Sequence, residues 1–362
     1  MKKIGIISLF GYNNYGNRLQ LFAVQKVYKT LGFDSEIIKY KQKTPNDPLV
    51  IRSKVFIMFL LNLRLRISEI NLKNKRISNF KKHAKLHYKE SNNQVNPIKI
   101  DENFHERYSF FSVGSDQIWG WFTHSIADFV FLKFVPREKR LTFSPSFGSA
   151  TIDEKYRKVF TDGLLGFEQL SVREQSGAAI VKSFIGKEAT VLCDPTMCLS
   201  KKEWLEFATP HHRKPQKKFI LTYFLGEKSE KVAGVLESFS KEYEIVNLNS
   251  LKSPEFYSIN PSEWVDYIND SSLFLTDSFH GVVFSLILQT PFAVYSRVGG
   301  EGMETRITNI LEKFKMGDRF EMSADESLLF NIDFSDTENS INTEKLRAFD
   351  FLQKSLNLNL NY

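Results

Sequence analysis

The sequence predicts an α/β fold in two halves that face each other across a cleft, with a C-terminal helix packed back on them. Three observations predict it. Short apolar runs that end in small or polar residues alternate with stretches of helical periodicity. The alternation stops at "ATPHHRKPQKK", a segment that gathers prolines and positive charge, and then resumes. Finally, 362 residues is long for one core and favours about two domains.

Taken in order, Ile4 to Phe10 reads as a strand, and residues 17–31 place Leu19, Phe22, Ala23, Val27 and Leu31 at helical spacing, with Gly32 as the stop. "SEIIKY" is the second strand. "YSFFSVGSD", "RLTFSPSFGS", "LSVRE" and "ATVLCDPT" follow as strands, with helical stretches such as "DEKYRKVFTDGLLGF" and "EQSGAAIVKSFIG" between them. Beyond the linker come "FILTYFL", a helix near 227–241, "EIVNLN", the helical "PSEWVDYINDS", "LFLTDSFHG", a helix from Val282 to Leu288, and "PFAVYS". The expected organisation is a Rossmann-like half over 1–208 carrying a basic insertion at about 39–90, and a second Rossmann-like half over 209–318. A helical tail over 319–362 follows, whose "NTEKLRAFDFLQKSLNL" is amphipathic and can rest on either half.

Composition narrows the function classes. Net charge is +7, yet residues 39–90 alone hold 14 Lys and Arg against 3 Asp and Glu, so the rest of the chain is acidic. That region reads either as a solvated insertion or as a surface that meets anionic lipid beside the apolar "VFIMFLLNL", which would make the protein a peripheral membrane protein. Nucleic acid is not an expected partner, since no binding motif accompanies the charge. The longest apolar run, Val55 to Leu61, is followed by Arg64 and Arg66 and is too short to span a bilayer. The start lacks the continuous apolar stretch of a signal peptide, and two cysteines suit a reducing cytoplasm. No metal is expected: His83 and His87 have i, i+4 spacing but lack the accompanying Glu, and His211 and His212 sit in the linker as solvated residues.

In open α/β sheets ligands bind outside the carboxyl ends of the strands. Those ends carry Asn13, Asn14, Asn17, Ser115, Asp116, Ser146, Arg173, Glu174, Asp277, Ser278 and His280. Gly11 and Gly16 in "GYNNYGNR" are spaced like a phosphate loop, but Asn17 and Arg18 replace the Lys and Ser/Thr that would hold phosphate and magnesium. The loop is then a tight strand-to-helix turn whose amides and guanidinium suit sugar hydroxyls or an anion. In "LFLTDSFHG" an apolar strand breaks at Asp277 and a helix starts near Gly281, which sets Ser278 and His280 at a helix N-terminus suited to an anion. Asp277 and Ser278 are also good helix caps. Arg173 in "LSVREQSG" stands at a loop mouth, where arginine either binds anions bidentately or forms a salt bridge to a neighbouring Glu or Asp. Asp194-Pro195 reads as a strand end.

In this order, "GYNNYGNRLQ", "VGSDQIW", "FSPSFGS", "SVREQSG", "CDPT", "TDSFHG", "PF" and "ETRITNILEKFKMGDR" resemble the polysaccharide pyruvyl transferase family over roughly residues 1–320. The resemblance implies a two-domain fold like that of the GT-B glycosyltransferases. It also implies transfer of pyruvate from phosphoenolpyruvate, the donor substrate, onto a sugar as a ketal, with no separate cofactor. The family's histidine of "SFHG" and arginine of "SVRE" map to His280 and Arg173. Pro145 and Thr305 depart from the usual pattern without removing a charge. On this reading Arg173, Ser278, His280, Gly281 and Arg306 bind the donor in the second half. Asn13, Asn14, Asn17, Arg18, Ser115, Ser146 and Glu174 face the acceptor, a sugar of a cell-surface polysaccharide (capsule or exopolysaccharide) or of its lipid-linked oligosaccharide precursor at the inner face of the plasma membrane. His280 is the acid or phosphate partner, and Asp116 or Glu174 the base. The rival readings are a GT-B-type glycosyltransferase using a nucleotide sugar and a noncatalytic glycan-binding member.

Overall fold

Strand β1 (Lys3–Ile7) buries Ile4, Ile6 and Ile7 completely, as a parallel strand covered on both faces must. The computed structural model describes residues 2–41, 63–298 and 304–358, so residues 42–62 of the basic insertion expected at 39–90, which include "VFIMFLLNL" up to residue 62, lie outside the described residues. β1 pairs in parallel with β2 (Asp34–Ile37) and β3 (Phe110–Val113), and β4 (Arg140–Thr142) adds to β3, giving the order β2-β1-β3-β4. β5 (Ser171–Val172) and β6 (Thr190–Val191) form a short parallel pair beside this sheet, tied to it by the Thr142 and Ser171 hydroxyls at 3.0 Å. In the second sheet β7 (Phe219–Tyr223), β8 (Glu244–Asn247), β9 (Leu273–Thr276) and β10 (Phe292–Val294) run parallel in the order β10-β9-β7-β8. Both sheets are therefore wound in parallel, and the architecture is α/β with two Rossmann-like halves.

The first helix, Tyr15–Thr30, starts where the Asn14 side chain accepts from the Asn17 N–H at 3.1 Å and ends before Gly32, whose φ of +86° suits glycine. A helix lying on one sheet should expose its polar residues. Here Asn17, Arg18 and Gln20 are buried, because the turns of the first half close over them: Asn17 donates to Asp116, Arg18 pairs with Glu90 and Gln20 donates to the Ser8 hydroxyl. The Tyr15 ring stacks on Trp264 at 5.4 Å, its hydroxyl donates to the Ile259 carbonyl, and Trp204 packs edge-on against Phe284 at 4.8 Å. One apolar core thus runs through both halves.

Two helices cross the junction. The C-terminal helix, Thr337–Ser355, packs on both the Pro195–Cys198 turn and the helix Phe279–Leu288, so it rests on both halves rather than on either one. The insertion helix, Leu63–His87, buries Arg76, which donates to the Asn13 carbonyl (2.9 Å) in the first half and to Asn249 Oδ1 (3.0 Å) in the second. Its guanidinium also lies 4.7 Å from the ring centres of Tyr15 and Tyr257. Arg76→Ala is expected to cost about 2–4 kcal/mol, because two charge-assisted hydrogen bonds and the packing of a buried side chain are lost. Urea unfolding measures it; a loss below about 0.5 kcal/mol, the size of an ordinary surface substitution, would contradict the strap.

His83, His87 and His211 pack against neighbouring side chains. His83 and His87 stack with centroids 4.3 Å apart, and burial followed by the His87 neighbour pushes His83 down to about 3. His211 is not simply solvated, since its Nδ1 lies 3.0 Å from the Tyr267 hydroxyl.

Candidate active site

The carboxyl ends of both sheets point at one another, and the chain breaks there in polar turns. After β9, both carboxylate oxygens of Asp277 are occupied: they accept from the Leu225 N–H (2.7 Å), the Gly226 N–H (2.8 Å) and Arg297 Nε (3.1 Å). Ser278 caps the helix Phe279–Leu288 by accepting from the Gly281 N–H, and a Cβ on Gly281 would lie 2.8 Å from Thr276 Oγ1. The Ser278 oxygen and the Gly281 amide, both expected at the donor, therefore meet one another in the cap. What the turn presents to the cleft is Phe279 and His280.

From the first half, Arg173 follows β5 with its guanidinium almost fully buried. Nη1 donates to Asp194 Oδ2 at 3.0 Å, Nη2 lies 3.6 Å from Asp116 Oδ1, and Nε lies 3.6 Å from Glu174 Oε2. The guanidinium carbon sits 4.6 Å from the centre of the Phe279 ring. His280 Nε2 is 3.5 Å from the same Asp194 Oδ2 that Arg173 contacts, so one carboxylate oxygen joins the two halves. Asp194 Oδ1 accepts from the Thr196 N–H and hydroxyl, which caps the Pro195–Cys198 turn. Burial alone would raise the Asp194 pKa; His280 and Arg173 outweigh it and hold the carboxyl well below the usual carboxylate range.

Arg306, on the helix Glu304–Lys313, approaches Phe279 from another side, its guanidinium carbon 5.8 Å from the ring centre. With its amide oxygen turned toward Arg306, Gln117 accepts from Nη2 at 3.1 Å. Burial, and then the positive charge of Arg173, push Arg306 down to about 10, still protonated at neutral pH. A cavity of about 440 Å³ opens beside the cluster, with Arg173, Asp194, Phe279, Arg306, Lys313 and Arg347 among its lining residues.

The glycine turn supplies the opposite wall. A Cβ on Gly16 would overlap the His280 ring, so only glycine lets the two halves approach this closely. Asn17 Nδ2 donates to Asp116 Oδ2, while Asp116 Oδ1 accepts from the Gln117 N–H at 2.9 Å. Asn14 is occupied as the helix cap, whereas the Asn13 side chain is exposed. Three expected acceptor residues are turned to packing instead. Arg18 is fully buried, pairs with Glu90 at 2.6 Å and lies between the rings of Tyr12 and Tyr88. Ser115 is fully buried and donates to the Ser144 carbonyl. Ser146, also fully buried, donates to Glu174 Oε1 at 2.8 Å. Glu174 Oε1 accepts from the Phe147 N–H as well, while Oε2 accepts no hydrogen bond.

Asp194 is the residue that sequence reasoning missed as part of the site. "CDPT" marks it only as a strand end, and its partners Arg173 and His280 lie 21 and 86 positions away in the chain.

A family model of polysaccharide pyruvyl transferase matches residues 14–297. No curated protein matches the chain. Among solved structures, MnaA of S. aureus in a UDP co-structure is similar at 13% identity and a TM-score of 0.48, covering 99% of this chain and 98% of that one. UDP-GlcNAc 2-epimerase from Methanocaldococcus jannaschii is similar at 11% identity and 0.44, covering 96% and 99%. The spinosyn rhamnosyltransferase SpnG is similar at 10% identity and 0.43, covering 99% and 100%.

Proposed function

Because the chain belongs to the polysaccharide pyruvyl transferase family, and is a transferase acting in polysaccharide pyruvylation, we propose that it moves pyruvate from phosphoenolpyruvate onto two hydroxyls of one sugar as a ketal. The observation that carries the donor assignment is the pair of buried guanidinium groups, Arg173 and Arg306, on a common phenylalanine ring. Burial, and then the charge of Arg173, lower Arg306, and a bound carboxylate or phosphate offsets both.

His280 is the acid. Asp194 orients its imidazole from Nε2, and the ring sits at the junction where both halves meet the ligand. Protonation of the methylene carbon of phosphoenolpyruvate makes C2 electrophilic, and a sugar hydroxyl adds there. Of the two candidate carboxylates, Glu174 is better placed to take the hydroxyl proton, since Oε2 accepts no hydrogen bond while both Asp116 oxygens are occupied. The C2–O bond to phosphate breaks with its electron pair on oxygen, and the second hydroxyl closes the ketal. Its proton leaves with inorganic phosphate.

The acceptor in this proposal is a lipid-linked sugar intermediate, met at the inner face of the plasma membrane. Among the described residues no helix is long and apolar enough to cross a membrane. The direct test is thermal unfolding with phosphoenolpyruvate, UDP-sugars or GDP-sugars in turn. Phosphoenolpyruvate at a hundred times its Kd should stabilise by about 2.7 kcal/mol. Stabilisation by the nucleotide sugars alone would replace this reading with a glycosyltransferase.

A further inference from the structure

We infer that the outward face of the insertion helix docks the protein on an anionic bilayer surface, which deepens the proposed use of a membrane-borne acceptor by naming the surface that meets the membrane. The helix Leu63–His87 has eight Lys and Arg against one Glu. At 100° per residue, Arg76, Phe80, His83 and Ala84 share one side, and all four are buried against the body. The opposite side carries Ile67 and Ile70 toward the start of the helix and Lys81, Lys82 and Lys85 toward its end. Ile67 and Ile70 are 48% and 52% exposed, and the three lysines are exposed too. The only acidic residue of the helix, Glu69, lies near the isoleucines and away from the lysines.

Two features of this face favour a lipid surface over a soluble polyanion. Aliphatic side chains stand exposed beside the charge, and they gain from burial at the headgroup boundary where a polyanion in water offers them nothing. The helix is also fixed at the mouth of the cleft, since buried Arg76 holds the Asn13 carbonyl and Asn79 donates to the Ser258 carbonyl at 2.7 Å. Asn13 begins the turn that carries Gly16 to His280, so a bilayer on this face lies near the site that receives the sugar.

Flotation of the full chain with vesicles tests the assignment, using phosphatidylcholine alone or mixed with phosphatidylglycerol. The protein should float with the mixed vesicles, and binding should fall as salt rises from about 0.05 to about 0.5 M. Lys81→Gln, Lys82→Gln and Lys85→Gln together should weaken binding about a hundredfold, since each lysine near the surface contributes about fivefold. Ile67→Ser with Ile70→Ser should weaken it at all salt concentrations. Equal binding to neutral vesicles, unchanged binding in the lysine variant, or binding to heparin but not to vesicles would each overturn the inference. Stabilisation by phosphoenolpyruvate is read on the unmutated chain as well: if it occurs while that chain fails to bind the mixed vesicles, the docking surface falls and the reaction stands.

Discussion

Replacing His280 by glutamine is expected to lower the rate of pyruvyl transfer by about 10²–10⁴-fold, the range for loss of a positioned general acid. Glutamine keeps most of the ring's volume beside Gly16, so the halves stay apposed and thermal unfolding should hardly move. It cannot cycle a proton near neutral pH, which is what the methylene carbon requires. The reading of kcat against KM then separates two roles. If His280 serves as acid, kcat falls and the KM for phosphoenolpyruvate stays within a few-fold; if it serves mainly to hold phosphate, both change. Activity equal to the parent in this variant would remove His280 from the chemistry.

Much of this site was legible because strand ends in a parallel sheet are where apolar runs stop, and those stops are visible in one dimension. Arg173, Asp116, Glu174 and His280 all follow such runs, and the structure brings them to one place. What a single sequence does not carry is the direction of each side chain. Asn17 and Arg18 are adjacent, yet one helical step of 100° sends Asn17 to Asp116 and Arg18 away to Glu90. Ser115 and Ser146 look like ligands for sugar hydroxyls, but both lie beneath the surface of the turns, where their hydroxyls bond the chain itself. The insertion helix misled in another way. Its charge marks an exposed face, while the buried Arg76, which ties the halves together, is one cation among many in sequence.

Asp194→Asn should do more damage than its absence from the expected site suggests. The carboxylate is wholly buried, and it is the only carboxylate within 3.5 Å of both Arg173 and His280 among the described contacts. Asparagine is nearly isosteric and keeps an oxygen to cap Thr196, so the change removes charge more than shape. Arg173 would then rest on Asp116 and Glu174, each 3.6 Å away, and breaking a buried pair from one side costs about 3–5 kcal/mol. The pH dependence gives the sign. A carboxyl whose folded pKa is depressed contributes stability above its unfolded pKa of about 3.9, and that contribution is lost as pH falls below it toward the folded value. Parent and variant should therefore differ most at neutral pH and converge on acidification below about pH 4, as read by urea unfolding across pH. A constant gap would mean that Asp194 acts through packing, and the imidazole would need another group to hold it. A converging gap with kcat lowered in step would tie the charge of Asp194 to both the fold and the orientation of His280, a contact through which the two halves meet.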